Sequence, residues 1–178
     1  LLLHHMAVDA AIKADFFSEI VWILPSQDDA PLPPLEQFRQ HMVKANLISQ
    51  IEAETIKEQE GTFTGSFRGL PVTIGNLSAI PLSKNPAWVH FDLSFFKPLY
   101  KNEVSTPLYP LIFDAFGKIR SASLNSLGAT ISHSNLGGTH SLKIRFIGKD
   151  ITHLIENPAS LDTDLPELQA RRAQNLYL

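Results

Sequence analysis

Ile20 to Pro25 reads Ile-Val-Trp-Ile-Leu-Pro, a continuous apolar run of β-branched, aromatic and aliphatic residues stopped by a proline. A run of this kind reads as a parallel strand covered on both faces. Buried parallel strands need long crossovers, usually helical, so the run sets an expectation for its flanks. Before it, Met6, Ala10 and Phe17 together with Ala7, Ala11 and Ala14 recur at three- and four-residue spacing, the signature of a helix. After it, the acid- and proline-rich "SQDDAPLPP" must be a loop, placed where open α/β sheets put their sites, at the carboxyl end of a strand.

The rest of the chain repeats this alternation. Leu35, Phe38, Met42, Leu47, Ile48, Ile51 and Ile56 lie among charged residues, as in two helices or one broken helix. "GTFTGSFRGLPVTIG" alternates around a turn-like Arg-Gly pair and predicts a small β-hairpin. "WVHFDLSFF", residues 88–96, reads as a strand that opens the second half. A helix follows, with Thr106 as N-cap, Pro107 at the first helical position and Gly128 as terminal cap. "ATISHSN" and "HSLKIRFIG" read as further strands, Asp150 as the cap of a short helix stopping before Pro158, and "DTDLPELQARRAQNLYL" as a closing helix. Strands separated by helix-length segments predict one α/β domain over residues 1–178, a three-layer sandwich with a mostly parallel sheet plus the hairpin.

Composition excludes several functions. A net charge of −3, with Lys and Arg scattered, supplies no basic stripe for nucleic acid. The chain has no Cys, so disulfides, thiol catalysis and thiolate-built zinc sites are out, and any metal must use His with carboxylate or amide oxygen. No apolar stretch approaches the roughly 20 residues that span a bilayer, so no membrane partner is expected, and a soluble, cytoplasmic protein acting on a small molecule is. The opening "LLLHHMAVDAAIKADFF" has no initiator Met and starts as if inside an element, as expected of a fragment or processed form or of a chain whose first residues are missing, and His4 and His5 are readable as tag residues. Neither a Gly-x-Ser-x-Gly elbow nor a dinucleotide-binding glycine pattern occurs.

The chemistry-bearing residues gather on the strand at 88–96. Side chains alternate, so Val89, Phe91, Leu93 and Phe95 point one way and Trp88, His90, Asp92, Ser94 and Phe96 the other. His90 and Asp92 are then about 6 to 7 Å apart along one face, close enough to bear on one ion or one substrate group. An antiparallel strand with one solvated face gives the same pattern. His133, in "ISHSN", reaches the same sheet edge if the two strands are neighbours, and its near-neutral pKa suits a third ligand or a general base. Asp28 and Asp29, in the loop after the first strand, are further acidic candidates, and "NLGGTHS" is a glycine-rich turn that matches no phosphate loop.

"VHFDLSFF" resembles the strand of arginase-like and deacetylase-like metallohydrolases that carries Asp-x-Asp near its carboxyl end, and is nearer still to the "D-I-D-L-D-F-F" form of a poorly characterised arginase-like family. The helix followed by "IVWILP" is similar in placement to that family's helix and "W-x-x-P" strand, and the likeness covers about half the chain. The resemblance implies a divalent ion, Mn, Zn or Fe, and hydrolysis of a C–N bond in a guanidine, amide or acylated amine. Carried onto this chain, Asp92 matches one metal-binding aspartate, and Ser94 or His90 stands at the other. Serine is a poor ligand for a divalent ion and neutral imidazole a common one, so the pair expected here is His90 with Asp92. The competing expectation is a non-catalytic α/β ligand-binding or interaction domain in which the metal site has been lost.

Overall fold

Two tight turns organise the first part of the molecule in a computed structural model of the chain. At both, two consecutive residues take positive φ: Glu60 and Gly61 at 48° and 76°, Arg68 and Gly69 at 52° and 84°. That pairing defines the type I′ hairpin turn, whose twist matches the flanking strands. The structure describes residues 10–24, 31–80, 85–93, 108–121, 123–132, 134–135, 138–139 and 142–161, with the backbone alone at 108–111, 134–135, 138–139 and 142–146. These residues fall into two compact units, Leu1–Pro81 and Leu82–Leu178.

In the first unit the two turns join β2 (Lys57–Gln59), β3 (Thr62–Phe67) and β4 (Leu70–Asn76) into an antiparallel meander. Strand β1 (Ile20–Leu24) adds in parallel on the other side of β4, Ile20 opposite Val72 and Leu24 opposite Asn76, giving the order β1-β4-β3-β2. The expected strand at "IVWIL" is therefore present and parallel. Among the described residues it is an edge strand, however, and Val21 is 39% exposed, so it is not covered on both faces.

The crossover between β1 and β4 contains α1 (Leu35–Lys44) and α2 (Gln50–Thr55), the two helices expected there. Phe38 and Met42, one turn apart on α1, are buried, and Phe38 meets Phe63 of β3 at 4.9 Å between ring centroids. Ile48, Ala53, Ile56, Val72 and Ile74 complete this core. Helix α2 starts at a capping box. The Ser49 hydroxyl accepts the Glu52 N–H at 3.2 Å, while the Glu52 carboxylate accepts the Ser49 N–H at 2.8 Å and its O–H at 2.7 Å. The same carboxylate accepts the Arg68 N–H at 2.6 Å, and the Ser66 N–H donates to Thr55 Oγ1 at 2.9 Å, so α2 is tied to the β3–β4 hairpin. Gly65 is required where they meet, since a Cβ there would stand 2.9 Å from the Ile56 Cα. On α1, Arg39 donates to the Ile56 carbonyl and lies 3.5 Å from the Glu36 carboxylate.

The second unit is a strand–helix–strand unit followed by a helix. Strands β5 (Ala87–Asp92) and β6 (Ser126–Ser132) are parallel neighbours connected through α3 (Leu108–Ser121). Short strands β7 (Ser134–Asn135) and β8 (Gly138–Thr139) form a separate antiparallel pair. Helix α4 (Leu142–Glu156) and a 3-10 turn at Pro158–Leu161 follow. Leu93, Ile112, Ile147, Ile151, Leu154 and Leu161 form the core, with Phe91, Phe116, Ile131 and Ile155 packed around it. Phe91 and Phe116 stack with centroids 5.3 Å apart and planes 2° from parallel.

Three expectations are corrected here. The run "HSLKIRFIG" is not a strand: residues from Leu142 onward belong to α4, and Asp150 sits inside that helix, buried, rather than capping a later one. The alternation of Leu142, Ile144 and Phe146 imitates period two, while Ile147, Ile151 and Leu154 carry the helical stripe past Gly148, a residue whose helical cost is about 1 kcal/mol. Gly128 does not cap α3, which ends at Ser121. Ser123 takes the left-handed φ of 52° there, and Gly128 lies in β6. Finally the class is α/β, as expected, but the sheets are mixed rather than mostly parallel, because β2, β3 and β4 run as a meander. The Thr106–Pro107 cap and the closing helix at 162–178 lie outside the described residues.

Candidate functional site

Strand β5 has one apolar face and one polar face, and its burial alternates accordingly. Val89 and Phe91 are partly buried, while Trp88, His90 and Asp92 are exposed. The partner strand repeats the division. Across the parallel ladder Trp88 stands opposite Gly128, His90 opposite Thr130 and Asp92 opposite Ser132, while Val89 and Phe91 stand opposite Ala129 and Ile131. Residues paired in this way share a face, so Phe91 and Ile131 reach the core and Thr130 and Ser132 accompany His90 and Asp92. A one-residue shift at the start of the ladder, between Ala87 and Trp88, sets this register and leaves Leu127 as the extra residue of β6, 68% exposed.

Thr130 is the centre of the polar face. Its hydroxyl lies 2.8 Å from His90 Nδ1 and accepts the Trp88 Nε1–H at 3.4 Å. Two aromatic side chains of β5 are thus held by one hydroxyl of β6. With Nδ1 engaged, Nε2 is the imidazole nitrogen left to act on a ligand. A hydrogen bond at one ring nitrogen is how proteins orient a histidine that binds metal through the other. Trp88 is positioned from below as well: a Cβ on Gly128 would come within 2.7 Å of the indole, so the ring lies across the glycine while remaining 52% exposed.

The expected pair His90 and Asp92 is therefore on one face of one strand, next to its carboxyl end, ~6.6 Å apart by the rise of two strand residues. Imidazole and carboxylate together form a donor set suited to Zn, Mn or Fe, so these two residues fit such an ion by their chemistry. Among the described residues no cluster of three or more His, Asp or Glu side chains surrounds them. His133, the expected third ligand or base, lies outside the described residues, as do Ser94, Asp28, Asp29, His4, His5 and His140. Gly128 and Thr130 were not expected to take part. The signal for Thr130 was available only through the register, since it depends on placing "ATIS" in parallel beside "WVHFD".

No described helix is long and apolar enough to cross a membrane. Comparison of the chain with models of known protein families, with curated proteins and with solved structures found no match in any of the three.

Proposed function

We propose that the outward face of β5 and β6 binds a divalent ion through His90 and Asp92 and serves hydrolysis of a C–N bond, in a guanidine, amide or acylated amine, within an arginase-like three-layer α/β architecture. The observation that carries this reading is the His90–Thr130 contact at 2.8 Å, which engages Nδ1 and leaves Nε2 as the ring nitrogen for a ligand, on a residue that shares its strand face with Asp92. Zinc, manganese or iron, when bound, supplies Lewis acidity for the attack of water on the carbon of the scissile bond. The chain's own contribution is positional. Thr130 orients the imidazole, Asp92 adds negative charge on the same side, and Ser132 stands beside it at the end of β6.

A non-catalytic α/β ligand-binding domain is the second reading, favoured by the exposed Trp88 on the same face. Elemental analysis of protein purified without chelator, wild type beside Asp92→Asn and His90→Ala, separates the two. Near-stoichiometric metal in the wild type that is lost in both folded variants supports the hydrolase. No metal in the wild type, even after incubation with excess Mn, Zn or Fe, overturns it.

A further inference from the structure

A tryptophan half in water needs a reason, because burying its large apolar surface is normally favourable. Trp88 is not loose. Its Nε1–H is bound to Thr130, and its ring lies across Gly128, where any side chain would collide with it. The six-membered ring of the indole therefore lies against Gly128 of β6 while the residue as a whole remains 52% exposed. The exposed part of the indole is an apolar, electron-rich surface, bordered along the strand by hydrogen-bonding groups, His90, Thr130, Asp92 and Ser132.

Charge and spacing limit what such a plate accepts. Among the described residues this face offers an anionic ligand no Lys or Arg side chain. An organic cation would be drawn to the indole, but Asp92 is four residues along the strand, ~13 Å away, too far to neutralise the same charge. A neutral ring with weakly polarised C–H bonds on one side and hydroxyls at its rim fits both the plate and its border. His90, one step along the face at ~6.6 Å, is where a substituent on such a ring arrives.

We propose that Trp88 is the stacking platform for the pyranose ring of an N-acylated amino sugar, whose acylamino arm points along the strand toward His90. This rests on the C–N hydrolase reading for the reaction. Water then adds to the acyl carbon, a C–O bond forms as the C–N bond breaks, and the amine leaves with a proton from that water, giving a carboxylic acid and the free amino sugar. The ring contact itself needs no metal.

The chain has two tryptophans, so a Trp22→Phe variant that retains its circular dichroism spectrum reports Trp88 emission alone. It would be titrated with the methyl glycosides of N-acetylglucosamine and N-acetylgalactosamine, and with methyl glucoside as the sugar lacking the arm. The expected result is a saturable emission change with at least one acylamino sugar and a weaker one with methyl glucoside. Calorimetry on the otherwise wild-type chain should show affinity falling at least tenfold in Trp88→Ala and partly restored in Trp88→Phe. No saturable change with either acylamino sugar, or equal affinity in folded Trp88→Ala, overturns the platform. Metal content read on the same preparations keeps the two readings apart. Metal without a sugar response sinks the platform alone, and a sugar response without metal upholds the platform while sinking the hydrolase.

Discussion

Replacing Glu52 tests whether the link between α2 and the β3–β4 hairpin is the electrostatic one described above. Its carboxylate accepts three hydrogen bonds, from the Ser49 N–H and O–H at 2.8 and 2.7 Å and from the Arg68 N–H at 2.6 Å. A lost helix cap costs about 1 kcal/mol, and one further charge-assisted bond at a partly exposed site adds roughly 0.5–1 kcal/mol after solvent screening. Glu52→Ala should therefore destabilise the first unit by about 1.5–2 kcal/mol, whereas Glu52→Gln, which can still form a capping box, should cost about 0.5 kcal/mol. Burial raises the Glu52 pKa and is the largest single influence, but the bonds to Ser49 and Arg68 together outweigh it and leave the pKa below the ordinary value of 4.5. A carboxylate held below its unfolded pKa contributes stability that is complete above that unfolded value and is lost as the pH falls through the folded one. The difference between wild type and Glu52→Gln should accordingly be full at neutral pH and disappear in acid below the carboxylate range. Urea denaturation followed by Trp22 fluorescence, in a Trp88→Phe background, measures it. A difference that persists unchanged into acid would refute the role assigned to the charge.

Two glycines make opposite predictions under one substitution. Gly65→Ala, whose Cβ would stand 2.9 Å from the Ile56 Cα, should destabilise by about 1–3 kcal/mol, while Gly117→Ala in α3, with nothing within 4 Å, should stabilise by up to about 1 kcal/mol, both read from thermal melts. Ile151→Ala, truncating a fully buried side chain on α4, should cost about 2–5 kcal/mol in chemical denaturation, and a cost under 1 kcal/mol would contradict the core described for the second unit. Nitrogen-15 NMR of His90 in metal-free protein at neutral pH should show the tautomer protonated at Nδ1, donating to Thr130, and the opposite tautomer would count against metal binding through Nε2.

What could be read from the sequence follows from which signals were local. The Arg68–Gly69 turn, the strand at Ile20–Leu24 and the paired helices before Ile56 each rest on neighbours in the chain, and all are present. The Glu60–Gly61 turn has the same chemistry, but β2, with Lys57, Glu58 and Gln59, has no apolar face to announce it as a strand. Gly128 was misassigned because a glycine after a helical pattern suits a cap, and only the ladder reveals that it lies under the Trp88 ring. For α4, the first residues alternate like a strand, and the helical stripe emerges only from Ile147 onward. At the candidate site the shared face of His90 and Asp92 was legible from alternation alone. The hydroxyl that orients His90 was not, since Thr130 comes from a distant part of the chain and is brought in by parallel pairing.

The way β1 joins its sheet bears on how the first unit assembles. From Lys57 to Asn76 every ladder is closed by a two-residue turn, so β2, β3 and β4 can zip together with little loss of chain entropy. The pairing of Ile20 with Val72 must instead enclose both helices and the whole meander, which concentrates the topological cost of this unit in a single ladder. On loop-closure grounds the meander is expected to form first, and the β1 ladder to be the last to close and the first to open.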